Sequence, residues 1–364
     1  MENKETKNIS ALKVNAGIEQ PSQVNPYLFK NPRVKRPQLS LKQFIDEIRK
    51  GNTIVLSQAI TLIESSLSEH YEFAQKIIDA CLPYSGNSIR IGITGVPGVG
   101  KSTFIEAFGK FLTGKEHKLA VLAIDPSSQR SKGSILGDKT RMEDLSIDKN
   151  AFIRPSPSAG SLGGVARKTR ETIIVCEAAG FDRIIIETVG VGQSETAVHS
   201  MVDFFLLLML SGAGDELQGI KRGIMEMADA IIINKADGDN INKANLARAQ
   251  YTSALNMFPP TISKWKPQVL TCSSVNKYGI SEVYDLINEY LNLTKENGYF
   301  EQHRIEQSKY ILTDYINQTL LSTFYQNPEI KKQYKKIMEK VTQGKVSPYK
   351  AGHELIELFY SLKK

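Results

Sequence analysis

Eight consecutive residues, Gly95-Val96-Pro97-Gly98-Val99-Gly100-Lys101-Ser102, hold the most readable chemistry in this 364-residue chain. Glycines at this spacing let a backbone wrap closely round a phosphate chain, so that successive N–H groups and the N-terminus of the next helix point at the anion. Lys101 is then placed to reach terminal phosphates, and Ser102 to offer its hydroxyl to an accompanying magnesium ion. The loop needs a strand before it and a helix after it. The apolar run Ser88 to Thr94 and the helix-like stretch Thr103 to Thr113 supply both.

A second group, Asn234-Lys235-Ala236-Asp237, follows the apolar run Ala230 to Ile233. The Asp237 carboxylate can accept two hydrogen bonds from the N1–H and 2-amino group of guanine, while Asn234 holds the purine and Lys235 lays its stem over the ring. Adenine offers no such donor pair. Thr271-Cys272-Ser273-Ser274, at the end of the next run, is placed to give a backbone N–H to the guanine O6.

Three carboxylates are candidates for the metal shell. Asp125 ends the run Val121 to Ile124, Asp138 lies in the Gly-rich stretch Gly133 to Thr140, and Glu187 ends Ile184 to Ile186. Magnesium takes oxygen ligands and keeps several waters, so each carboxylate is expected to touch it directly or through water. Gly190 would give its N–H to the γ-phosphate, so that loss of this phosphate releases the loop Val189 to Glu195. No glutamine directly follows Gly190, and Gln193 comes three places later. Intrinsic hydrolysis is therefore expected to be slow, with a partner completing the site.

Positioning these groups requires a sheet. Between residues 87 and 295 the Ile, Val and Leu-rich runs Ile89–Thr94, Leu119–Asp125, Ala151–Arg154, Arg183–Glu187, Phe204–Leu210, Ala230–Asn234 and Val269–Ser273 alternate with helical stretches. That is the pattern of an α/β domain with a mostly parallel sheet covered on both faces, its ligands gathered at the carboxyl rim. Residues 1–40 read as a polar, Pro-punctuated leader and 41–86 as an N-terminal helical extension, with Phe44, Ile45, Ile48, Ile60, Ile63 and Leu67 at helical spacing. Residues 296–364 read as a C-terminal helical arm whose last helix opens at Ser347-Pro348. The arm is expected to dock on a second subunit, with packing back onto the sheet domain as the alternative.

Composition bounds the rest. Phe204–Leu210, the longest apolar run near the middle, is too short to cross a bilayer, and no secretory or organellar address opens the sequence. A cytoplasmic protein without a membrane partner is expected. The net charge of +7 owes much to Lys331, Lys332, Lys335 and Lys336 in the arm, a solvated face rather than a nucleic-acid patch. Cys81, Cys176 and Cys272 form no CxxC pair and read as buried thiols.

Taken together, the GVPGVGKST, DPSS, GSILGDKTRM, RPSPSAGSLGGVARKTRE, ETVGVGQSE, SGAGDELQGIKRG and NKAD segments closely resemble the methylmalonyl-CoA mutase-associated GTPases, from about Leu41 to the C-terminus. The resemblance implies a P-loop NTPase fold and a GTP-hydrolysing chaperone that protects an adenosylcobalamin-dependent acyl-CoA mutase and gates its cofactor loading. It implies phosphate and metal contacts for Lys101, Ser102 and Thr103, and a magnesium shell of Asp125, Asp138 and Glu187. It also makes Asp215 to Arg222 a third switch, with Lys221 reaching the nucleotide during hydrolysis, and the C-terminal helices a homodimer contact. Ser156 to Arg170 receives no role beyond a tight loop before a helix, with Arg167 or Lys168 against a partner.

Two other readings compete. A nickel-delivery GTPase would need clustered Cys or His, and here His70, His117, His199, His303 and His353 are scattered. A kinase serving basic amino-acid transport, the older description of the resembled family, would need a second substrate pocket for which the sequence has no signature.

Overall fold

The computed structural model describes residues 39–65, 67–124, 142–155, 162–188, 194–211 and 222–362. Among them, seven strands form one all-parallel sheet: β1 Ile89–Gly95, β2 Leu119–Ile124, β3 Ala151–Arg154, β4 Arg183–Thr188, β5 Phe204–Leu210, β6 Ala230–Asn234 and β7 Gln268–Thr271. Their order is β3-β2-β4-β1-β5-β6-β7. Each expected run became a strand. Continuous burial along β2, β5 and β6 explains why their sequences are solidly apolar rather than alternating, since helices cover both faces.

The order also fixes where a ligand goes. From β1 the chain runs out to β2 and β3, returns through β4 beside β1, and then crosses to β5, β6 and β7 on the other side. The connections therefore diverge at the carboxyl end of β1, the crevice that open α/β sheets use for ligands. The opposite end of the sheet is tied by three aspartates that each precede a strand. Asp182 accepts from Lys118 N, Asp203 from Arg90 N and Asp229 from Phe205 N, each at 2.8 Å.

Helices α1 Leu41–Arg49, α2 Thr53–Glu64 and α3 Ser68–Cys81 form the N-terminal extension. Asn52 caps α2 by accepting from Ile54 N and Val55 N, and Phe44, Ile48, Leu56 and Ile60 are buried. After α4 Lys101–Gly114, α5 Glu143–Ser146, α6 Leu162–Ala178, α7 Ser194–His199, α8 Arg222–Met227, α9 Ile241–Leu255 and α10 Ile280–Glu296, the chain continues as helices alone. These are α11 Tyr299–Gln326, α12 Pro328–Thr342 and α13 Pro348–Ser361. Ser347 accepts from Lys350 N at 3.2 Å, so the Ser-Pro pair does start the last helix. In the 28-residue α11 only Gln307 is fully buried, while Ile305, Leu312, Ile316 and Leu320 face outward.

Candidate functional site

The phosphate loop leaves β1 at Gly95, whose position only a residue without a side chain can fill. A Cβ there would lie 2.5 Å from the carbonyl oxygen of Leu208. The loop turns at Gly98 and closes at Gly100, the N-cap of α4, with φ of +90°. That left-handed backbone suits glycine, and a Cβ at 100 would meet Asn234 Nδ2 at 3.0 Å. Val96 and Val99 are buried and fix the loop to the sheet, whereas Pro97 and Gly98 are exposed.

Lys101 folds back over the loop. Its Nζ donates to Gly95 O at 2.8 Å and Val96 O at 3.3 Å. Burial lowers its pKa, against the opposing pull of Glu187 and Glu195. Ser102 and Thr103 follow in the first turn of α4. Beside them, Glu187 and Thr188 end β4, both buried, and Thr188 Oγ1 lies 2.8 Å from Thr94 Oγ1 across the β1–β4 pair.

The second sequence group arrives at the same rim from β6. Asn234 is 1% exposed and joins the two halves of the site. Its Nδ2 donates to Val99 O at 2.9 Å, across 135 positions of sequence. Its Oδ1 accepts from Ser274 Oγ at 2.8 Å and, more loosely, from Ser274 N and Cys272 Sγ at 3.3 Å. Lys235, at φ of +58°, donates from Nζ to Gly98 O at 2.9 Å, so its stem spans from the base group to the phosphate loop. Asp237 accepts from the Ser273 hydroxyl at 2.5 Å, and Ser273 Oγ in turn accepts from Asn276 N. One carboxylate oxygen of Asp237 is thereby anchored, which orients the group.

Gly95 to Thr103, Glu187, Asn234, Lys235, Asp237, Ser273 and Ser274 thus meet at one end of the sheet. The expected Asp125, Asp138, Gly190 and Lys221 lie outside the described residues. Sequence reading placed Cys272 in the segment expected at the base but gave its thiol no part in holding Asn234, because a lone thiol carries no local signature. It missed Glu195, buried at 2% exposure at the start of α7, whose charge acts on Lys101. Cys81, Cys176 and Cys272 are all buried, and burial raises each thiol's pKa, to about 12 for Cys272 and about 11 for Cys81. Among the described residues no three His, Cys, Asp or Glu side chains gather as a metal site, and no helix is long and apolar enough to cross a membrane.

A phosphate loop at the divergence of a parallel sheet, with an Asn-Lys-x-Asp group on the same rim, defines a P-loop nucleotide hydrolase of the guanine-selective kind. The family described as methylmalonyl Co-A mutase-associated GTPase MeaB matches residues 56–329, and the chain belongs to it. It is 45% identical over 318 residues to GTPase ArgK of Escherichia coli strain K12, spanning 87% of this chain and 96% of that one. It is 44% identical over 334 residues to a mouse protein named methylmalonic aciduria type A homolog, mitochondrial, covering 88% and 80% of the two chains. A crystal structure described as an LAO/AO transport system kinase superposes with a TM-score of 0.72 at 39% identity, over 88% of this chain and 97% of that one. The protein is therefore a GTP hydrolase, and guanine nucleotide is its ligand.

Proposed function

We propose that the protein is a magnesium-dependent GTP switch acting as a chaperone for an adenosylcobalamin-dependent acyl-CoA mutase, protecting it and gating the loading of its cofactor. The carrying observation is the Asn234 bridge from the base rim to Val99 of the phosphate loop, which makes recognition of the purine and the grip on the phosphates one structure. Asp237, aimed by Ser273, selects guanine. Lys101, now held by the carbonyls of Gly95 and Val96, is released to the β and γ phosphates when they displace it. A bound magnesium ion would neutralise charge developing on the phosphates. Ser102 and Glu187, oxygen donors on neighbouring elements, suit it, and we assign it Asp125 and Asp138 as well. Gly190 and Lys221 are assigned to the γ-phosphate and to turnover.

The family's description supports the mutase as client, and the uncovered apolar residues of α11 support a homodimer built through the arm. The deciding experiment passes an adenosylcobalamin-dependent mutase over the full chain with magnesium and either GDP or a non-hydrolysable GTP analogue. Binding that differs between the nucleotides is expected. Equal or no binding in both rejects the chaperone reading. Labelled GTP separates the transport-kinase alternative: phosphate should go to water alone, and transfer to a protein acceptor would favour the kinase.

A further inference from the structure

The Ser156 to Arg170 segment had no role from sequence, and its described end supplies Arg170, in the middle of α6. This guanidinium belongs to a side chain 8% exposed. Its Nη2 donates to Ser200 Oγ at 2.7 Å, and its Nη1 reaches Asp314 Oδ2 of the arm at 3.3 Å. Its buried Nε has no hydrogen-bond partner among the described residues. Ser200 Oγ donates in turn to Ala197 O at 2.8 Å, so Arg170 closes the last turn of α7 while holding the arm.

Three further arm residues meet the end of α7 and the chain just beyond it. Gln307 Nε2 donates to Val202 O at 2.7 Å, Arg304 makes paired bonds to the Asp203 carboxylate at 2.8 and 2.7 Å, and the His303 ring meets His199 edge-on. On its other side α7 lies hard against β1. A Cβ on Gly92, three residues before the phosphate loop, would come within 2.9 Å of Val198 on α7. Helix α7 is therefore wedged between the arm and the strand that carries the loop, and any shift of the arm must move it or be resisted by it. The opposite end of α7 carries Glu195, whose charge acts on Lys101.

We propose that Arg170, held by Asp314 of the arm, is a positioning residue for GTP hydrolysis: it sets the exit of α7 and so the packing of that helix on β1, the strand that carries the phosphate loop. Whatever binds the arm's exposed face then bears on turnover through this link.

The test compares the full chain with Asp314→Ala, Ser200→Ala and the double variant, in magnesium and GTP, measuring kcat, GDP affinity and melting midpoint. Each single substitution is expected to lower kcat about 3- to 10-fold, the size coupling through packed networks takes, with GDP affinity held within about twofold. The double variant should lose little more than the worse single one, because both act through the same guanidinium. A kcat unchanged in either single variant, whatever its melting point, overturns the proposal, as do losses that multiply in the double. A wild-type chain that fails to hydrolyse GTP would instead overturn the hydrolase reading itself.

Discussion

Asp237→Asn is the sharpest test of the site, because one atom exchange reverses the chemistry offered to the base. In the structure one carboxylate oxygen accepts from the Ser273 hydroxyl, leaving the remaining lone pairs for the N1–H and 2-amino donors of guanine. Hydrogen bonds to a charged acceptor contribute about 1.5–3 kcal/mol each, so two of them are worth about 3–6 kcal/mol. Asparagine keeps its oxygen for Ser273 and turns an NH2 group toward two guanine donors, removing both bonds and setting donor against donor. Affinity for GDP is expected to fall about 10²- to 10⁴-fold by the same arithmetic. Xanthosine diphosphate, which carries a carbonyl in place of the 2-amino group, should bind the variant better than GDP. Isothermal titration of both nucleotides in magnesium reads this directly. A GDP affinity reduced less than about tenfold, with no gain for the xanthine nucleotide, would show that Asp237 does not face the base.

Removing the phosphate-loop ammonium by Lys101→Ala should lower kcat for GTP by about 10²- to 10³-fold, as loss of one preorganised charge at a developing anion does, in a phosphate-release assay. Gly100→Ala places a methyl 3.0 Å from Asn234 Nδ2 in a left-handed backbone, and should cost about 1–2 kcal/mol of stability and weaken both GDP and GTP. Burial raises the Asp229 carboxyl to about 7, above its unfolded value of 3.8, so between these values the folded chain binds more protons than the unfolded one. Its contribution to stability is therefore lost as pH rises from about 4 to about 7. Asp229→Asn, which still accepts from Phe205 N, should flatten that part of a urea-denaturation pH profile. Leu320→Glu, on the uncovered face of α11, should disrupt the proposed homodimer, with sedimentation reporting monomers where the unaltered chain gives dimers.

The strands were legible because a parallel sheet covered on both faces demands unbroken apolar runs, and each expected run coincides with a strand to within a residue or two. The phosphate loop was legible for a different reason: its glycines, lysine and serine are local in sequence and their spacing is itself the geometry. Helix starts at Ser347-Pro348 were equally local. The roles of the Cys272 thiol and of Glu195 were not, since a thiol and a carboxylate gain meaning only from what surrounds them.

By itself, then, the order of residues determined the alternation of strand and helix, the anion cradle and the presence of a guanine-type carboxylate, because propensity, periodicity and turn chemistry act over a few positions. Tertiary structure decided that Asn234 grips Val99, that Lys235 spans to Gly98, and that Arg170 stands between Ser200 and Asp314. Those contacts join residues that lie 30 to 144 positions apart, and only the strand order β3-β2-β4-β1-β5-β6-β7 and the packing of helices on it bring them within hydrogen-bond reach. No short-range signal in the chain encodes such distances.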